Sequence, residues 1–216
     1  MTVVVIVVLA VLALLILATI VSYNRFVRQR NLIQESWRQI DVELNRRHDL
    51  IPNLVETVRG YASHERGVFE AVTQARAAAQ QTLQAGGAGP AAQGQAEGIL
   101  GQALGRLFAV AEAYPQLRAN EQFIALQGQL TETEDRIAAG RRFYNANVRA
   151  MNTRVEAFPS SLIASMFNFE KAQYFEVEDP TTRAPVQVDF SAITGAPSVG
   201  TTPGADDARQ PGPPTT

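Results

Sequence analysis

The sequence His64-Glu65-Arg66-Gly67-Val68 opens like the metal-binding helix of a zinc protease. In such a helix two histidines four residues apart hold the metal on one face, and the glutamate serves as general base. Here position 68 is Val68, so the second ligand is missing. The other histidine, His48, lies across Pro52. Nearby residues assemble no tetrahedral ligand set, so no metal or other cofactor is expected. A hydrolase using His64 and Glu65 is kept as a third functional reading.

Asp41, Glu43, Asp49, Glu56 and Glu65 could supply paired carboxylates for acid–base work. Arg38, Arg46, Arg47, Arg59 and Arg66 alternate with them. That interleaving is ordinary on solvated helix faces joined by i,i+4 pairs. No serine sits in a nucleophile elbow, and no glycine-rich loop follows a strand. A net charge of −2 gives no field that would gather nucleic acid. The absence of cysteine fits a reducing compartment. The expectation is a protein that is not an enzyme.

The elements that position these residues begin with an anchor. Val3–Val21 is a run of 19 uncharged, mostly aliphatic residues, long enough to cross a bilayer core as one helix. A cleaved signal peptide has a shorter apolar run, a basic start and a small-x-small site. Cleavage after Ala18 or Ser22 would put Ile16 or Ile20 where a small residue belongs. An uncleaved span is therefore expected. Arg25, Arg28, Arg30 and Arg38 follow it and no basic residue precedes it, which predicts the N-terminus outside and the following domain in the cytoplasm.

Residues 1–22 are read as the transmembrane anchor, 23–178 as a helical domain and 179–216 as a disordered tail. Seven of the 11 prolines lie in that tail, with few large apolar residues to offset ordering. The fold expected is all-α, an N-terminal transmembrane helix followed by an antiparallel bundle of long helices. The span runs on into a coiled-coil-like helix through Phe26, Ile33, Trp37, Ile40 and Leu44. Pro52 is expected to turn or kink the chain at Asp49–Asn53. A second helix carries Leu54, Val58, Tyr61, Val68 and Val72, and a third carries Ile99 to Ala111. The glycine-rich stretch 85–98 is read as a flexible connection or a poorly formed helix start. The fourth helix spans Leu117–Phe158, with Pro159 as its stop. A short helix and an extended segment follow. Arg30, Glu65, Glu134 and Arg141 fall on interior seam positions, where charges must pair. Glu65 with Arg141 is the leading pair. Asn31, Asn53, Asn145 and Asn152 are expected to add caps and interhelical hydrogen bonds.

Trp37–Glu65, WRQIDVELNRRHDLIPNLVETVRGYASHE, resembles the signature of the bacterial LemA family. Tyr23-Asn24, Arg30-Asn31, Tyr114-Pro115, Leu117, Ala119-Asn120, Thr133-Glu134, Arg141, Tyr144-Asn145, Asn152 and Phe158-Pro159 match at consistent spacing. The resemblance covers Ser22 to about Phe175. It departs in the glycine-rich insert and the proline-rich tail. It implies a single-pass inner-membrane protein with a cytoplasmic helical bundle and no known enzymatic activity. By resemblance, the stretch around Pro52 is the candidate interaction surface, with Asp49, Asn53, Glu56, Arg59 and His64. Two further functions follow: a membrane-tethered scaffold that forms a homo-oligomer, or an adaptor that recruits a membrane-protein partner such as a protease. The expected partners are the lipid bilayer, other copies of the chain and a membrane protein, without nucleic acid.

Overall fold

The computed structural model describes residues 1–86 and 89–177. The first element, α1, is one helix from Thr2 to Arg59. Its 58 residues correspond to about 87 Å. The N-terminal third is apolar and fully unburied, and it is the one described segment long and apolar enough to cross a membrane. Burial begins at Phe26 and continues through Ile40, Leu44, Ile51, Leu54 and Val58. The candidate span and one wall of the bundle are thus a single helix.

Of the turn or kink expected at Asp49–Asn53, the turn does not form: the helix continues through Pro52. Proline removes the N–H that would bond the carbonyl four residues back, and its ring crowds that carbonyl. Here the bereft carbonyl belongs to His48, and Arg76 Nε donates to it at 2.6 Å. A side chain from the neighbouring helix replaces the missing backbone donor. The reversal comes later, at residues 60–65, where Ala62 is buried and Tyr61 N–H bonds Val58 O.

Helix α2 covers Arg66–Ala85 and packs Phe69, Val72, Ala75 and Ala79 inward. Helix α3 covers Gly89–Glu112, so most of the glycine-rich stretch is helical. The reason is close packing. A Cβ at Gly94 would collide with the backbone of Glu176, which crosses this face of α3. After a short turn of helix, α4 at Pro115–Arg118, Asn120 caps α5 by accepting from Phe123 N–H at 2.9 Å. Helix α5 runs Glu121–Glu156 and α6 runs Ser160–Met166. The fourth helix expected from Leu117 therefore starts at its asparagine cap instead. The described residues contain no strand, and the fold is all-α.

Helix α5 lies antiparallel to α1. Gln29 meets Asn147, Ile40 meets Gly140, and Arg47 meets Glu134. The distal half of the bundle is formed by α1, α2, α3 and α5 around Leu54, Val58, Val72, Leu100, Leu107 and Leu130. Nearer the span, α1 and α5 enclose Ile40, Leu44, Tyr144 and Val148. Residues 168–177 run without regular structure along this half and seat Phe169 and Phe175. Asn152 and Asn145 hold that segment by paired hydrogen bonds to the backbones of Ala172 and Phe175, at 2.8–3.1 Å. They secure an extended segment, where interhelical bonds were expected. The tail, 179–216, lies outside the described residues, as does residue 178.

Candidate functional site

The stretch around Pro52 has two faces. Asp49, Pro52, Asn53 and Glu56 are exposed along one side of α1, while Ile51, Leu54, Val55 and Val58 are buried on the other. Helical spacing of three and four places those exposed residues on one stripe. Arg59 is exposed at the end of α1. It bonds Glu56 at 2.7 Å and its guanidinium lies over the Phe69 ring, 5.5 Å from the centroid. His64 sits beyond the helix in the exposed turn, off that stripe. An open groove beside it is lined by Arg59, Ser63, Arg66, Phe69, Glu70 and Thr73.

Behind the stripe lies a buried polar cluster. Arg47, His48, Gln93 and Glu97 are each at most 5% exposed. Glu97 is its hub. Its Oε2 accepts from Arg47 Nη1 at 3.1 Å. Its Oε1 accepts from Gln93 Nε2 at 2.7 Å and lies 3.0 Å from His48 Nε2. Gln93 Nε2 also donates to Ala79 O. One carboxylate therefore ties α1 to α3, and its glutamine neighbour ties α3 to α2. His48 Nδ1 and Gln93 Oε1 have no hydrogen-bond partner.

Glu134 brings α5 into the set. Its Oε1 is 2.8 Å from Arg47 Nε, but that N–H makes no hydrogen bond, so the contact is coulombic. Burial raises the Glu134 pKa above its ordinary 4.5. Arg47 opposes the rise, and Glu97 and Asp135 add to it. The arrangement pairs most of its buried charge and links α1, α2, α3 and α5. Among the described residues, no group of three or more acidic or histidine side chains could hold a metal.

The four charges expected on the seam are arranged otherwise. Arg30 is exposed, with its guanidinium 5.8 Å from the Phe169 ring centroid. Glu65 is the half-buried N-cap position of α2 and makes no side-chain cap. Arg141 is half-buried on α5. It lies one residue from Gly140, which packs on Ile40. Glu65 lies beyond the end of α1, roughly 30 Å further along the rod, so the two do not pair. The physical reason is a one-residue offset. The α5 seam runs through Thr133, Ile137, Gly140 and Tyr144, so Glu134 and Arg141 fall on its flank. Of the four, Glu134 alone joins the network.

Sequence spacing does not single out Gln93, Glu97 or Arg76. Gln93 and Glu97 lie four residues apart, a helical pairing, but glycine-rich surroundings masked that signal. Arg76 could be found only by asking where the carbonyl released by Pro52 goes.

Residues 36–190 match the LemA family model. Magnetosome protein MamQ 1 of Paramagnetospirillum magneticum strain AMB-1 is 31% identical, the match covering 79% of this chain and 70% of that protein. MamQ of Magnetospirillum gryphiswaldense strain MSR-1 is 28% identical over the same shares. Protein LemA of Metamycoplasma hominis is 23% identical, covering 72% of this chain and 69% of its own.

Proposed function

The chain belongs to the LemA family, and from that premise we propose that it is a non-enzymatic scaffold, anchored in the bacterial inner membrane, that self-associates through its helical bundle. The observation that carries this reading is the continuity of α1, which is both the candidate span and a wall of the bundle. A domain joined to a span by an unbroken helix is held at a fixed height and tilt, as a scaffold requires. The buried polar cluster serves register, with Arg47, His48, Gln93 and Glu97 out of reach of solvent. The MamQ relatives are named as magnetosome proteins and not for a reaction, which is in keeping with this reading.

The α1–α5 face offers a surface for self-association. Val42 and Phe143 are large, apolar and exposed, and they line a groove with Gln39, Ala139 and Gly140. The chain has no cysteine, so Val42→Cys and Phe143→Cys can be introduced singly and oxidised in native membranes. Disulfide-linked dimers are expected at one or both positions. Monomer at both, with a control cysteine in the span competent to cross-link, would defeat self-association through this face.

The bundle is assigned to the cytoplasmic side on the basis of Arg25, Arg28, Arg30 and Arg38. A cysteine placed in the tail should resist an impermeant thiol reagent in intact cells, and labelling from outside would reverse the orientation. The exposed stripe of Asp49, Asn53 and Glu56 favours a second reading, an adaptor that recruits another membrane protein. Pulldown with and without Asp49→Ala and Glu56→Ala tests it, and unchanged recovery of the partner counts against that surface.

A further inference from the structure

Helix α6 has its packed face toward α1. Ala164 is buried and Ile163 is partly so, in a cluster with Phe26, Met151 and Phe169. Its other face is apolar as well. Phe158, Leu162, Met166 and Phe167 are 81%, 60%, 68% and 43% exposed. Four large apolar side chains within ten residues, on one corner of a folded domain, mark a contact surface.

The height of that corner follows from the α1–α5 register. Gln29 Nε2 bonds Asn147 of α5 at 3.0–3.2 Å. Nine residues onward in α5 is its last residue, Glu156, and nine residues back in α1 is Ile20. The two helices are antiparallel with equal rise, so the end of α5 is level with the end of the apolar run. Phe158 and α6 lie at that level too. A direct contact confirms it: the Phe167 ring centroid is 4.9 Å from that of Tyr23, two residues past the run. Arg25 and Arg28, both exposed, follow within a turn and a half. An aromatic side chain at the end of a span and arginines just beyond it suit the interface and its anionic headgroups.

We propose that the corner joining α5 to α6 is a second membrane contact, with Phe158, Leu162, Met166 and Phe167 resting in the interfacial layer of the bilayer that residues 3–21 cross. The contact is continuous with the span through Tyr23 and Phe167. It gives the rod a lateral foot, so the bundle is fixed in rotation about α1 as well as in height. A short apolar face lying in the plane of the interface is a recognised mode of membrane binding. The inference rests on the anchored reading of α1.

The test uses the full chain with single spin-labelled cysteines, reconstituted in vesicles of phosphatidylethanolamine and phosphatidylglycerol. Labels go at Leu162→Cys and Met166→Cys, at Leu12→Cys within the span, and at Ile124→Cys, an exposed position at the far end of α5. All four side chains face away from the packed core. Power saturation then compares collisions with oxygen, which concentrates in lipid, and with a water-soluble nickel chelate. The oxygen-to-nickel ratio at Leu162→Cys and Met166→Cys should exceed that at Ile124→Cys by about three-fold or more, as expected for an apolar face in the interface. A ratio equal to that of Ile124→Cys, with Leu12→Cys in lipid, overturns the foot and leaves the anchor standing. Low collision with both reagents at α6 means that protein covers this face, and also overturns it. A Leu12→Cys label outside lipid defeats the anchored reading and this inference with it.

Discussion

Arg76 Nε donates to the carbonyl of His48 at 2.6 Å, and that carbonyl is the one Pro52 leaves without a backbone partner. The bond lets α1 pass through a proline unbroken. Arg76→Met leaves the carbonyl unpaired next to a buried histidine, at a cost of about 1–3 kcal/mol. Pro52→Ala restores the backbone donor, so the double variant should recover part of that loss. Urea unfolding of the detergent-solubilised chain measures both. Equal losses in the single and double variants would show that Arg76 acts elsewhere.

Glu97 holds the buried cluster together from α3. Glu97→Ala strands Arg47 and His48 in the interior, and removing one member of a buried pair typically costs about 3–5 kcal/mol. Glu97→Leu combined with Arg47→Met, which removes both charges, should recover much of it. Thermal melts of the three variants decide. A Glu97→Ala melt close to that of the parent would contradict the hub.

Glu134 gives a pH signature. Its folded pKa lies above the ordinary 4.5, chiefly through burial. The folded state therefore binds this proton more tightly than the unfolded chain. The stability that the proton brings is present below the unfolded pKa and is lost as pH rises through the folded one. Glu134→Gln has no such proton to lose. The side chain is 42% exposed, so solvent screens the effect and it should be small. Unfolding midpoints measured from about pH 4 to 7 should show the parent losing ground to Glu134→Gln as pH rises. Parallel curves would contradict the assignment.

Asn152 makes two hydrogen bonds to the backbone of Ala172. Asn152→Ala leaves that peptide unpaired beside the bundle, at about 1–3 kcal/mol. Amide exchange near Ala172 and Phe175 should accelerate first, while exchange in the distal core stays slow. Uniform acceleration throughout would mean that the segment is no separate unit.

The helical class, the candidate span and the apolar faces of α1 and α5 are legible because each rests on local composition or periodicity. Phe26, Ile40, Leu44, Phe123, Leu130 and Val148 are buried as their spacing predicts. The break was misplaced because a proline rule is local, whereas the side chain that relieves Pro52 comes from another helix. The glycine-rich stretch misled because Gly94 reads as flexibility in sequence but serves close packing against residue 176. On α5 the seam takes Thr133 and Gly140, small residues that a pattern of large apolar ones passes over, so Glu134 and Arg141 read one position too far inward. Arg47 reads in the sequence as a charge on a solvated helix face, and His48 carries no sign of its surroundings. Their burial follows from Glu97, whose place opposite them only the tertiary fold supplies.

As a scaffold, the anchored chain should self-associate. Native mass spectrometry of the full chain, released from lipid nanodiscs or mild detergent across a range of protein concentrations, tests it most directly. Oligomers that retain residues 1–22, persist on dilution and are weakened by Val42→Glu are the expected result. A strictly monomeric chain at high concentration would contradict it.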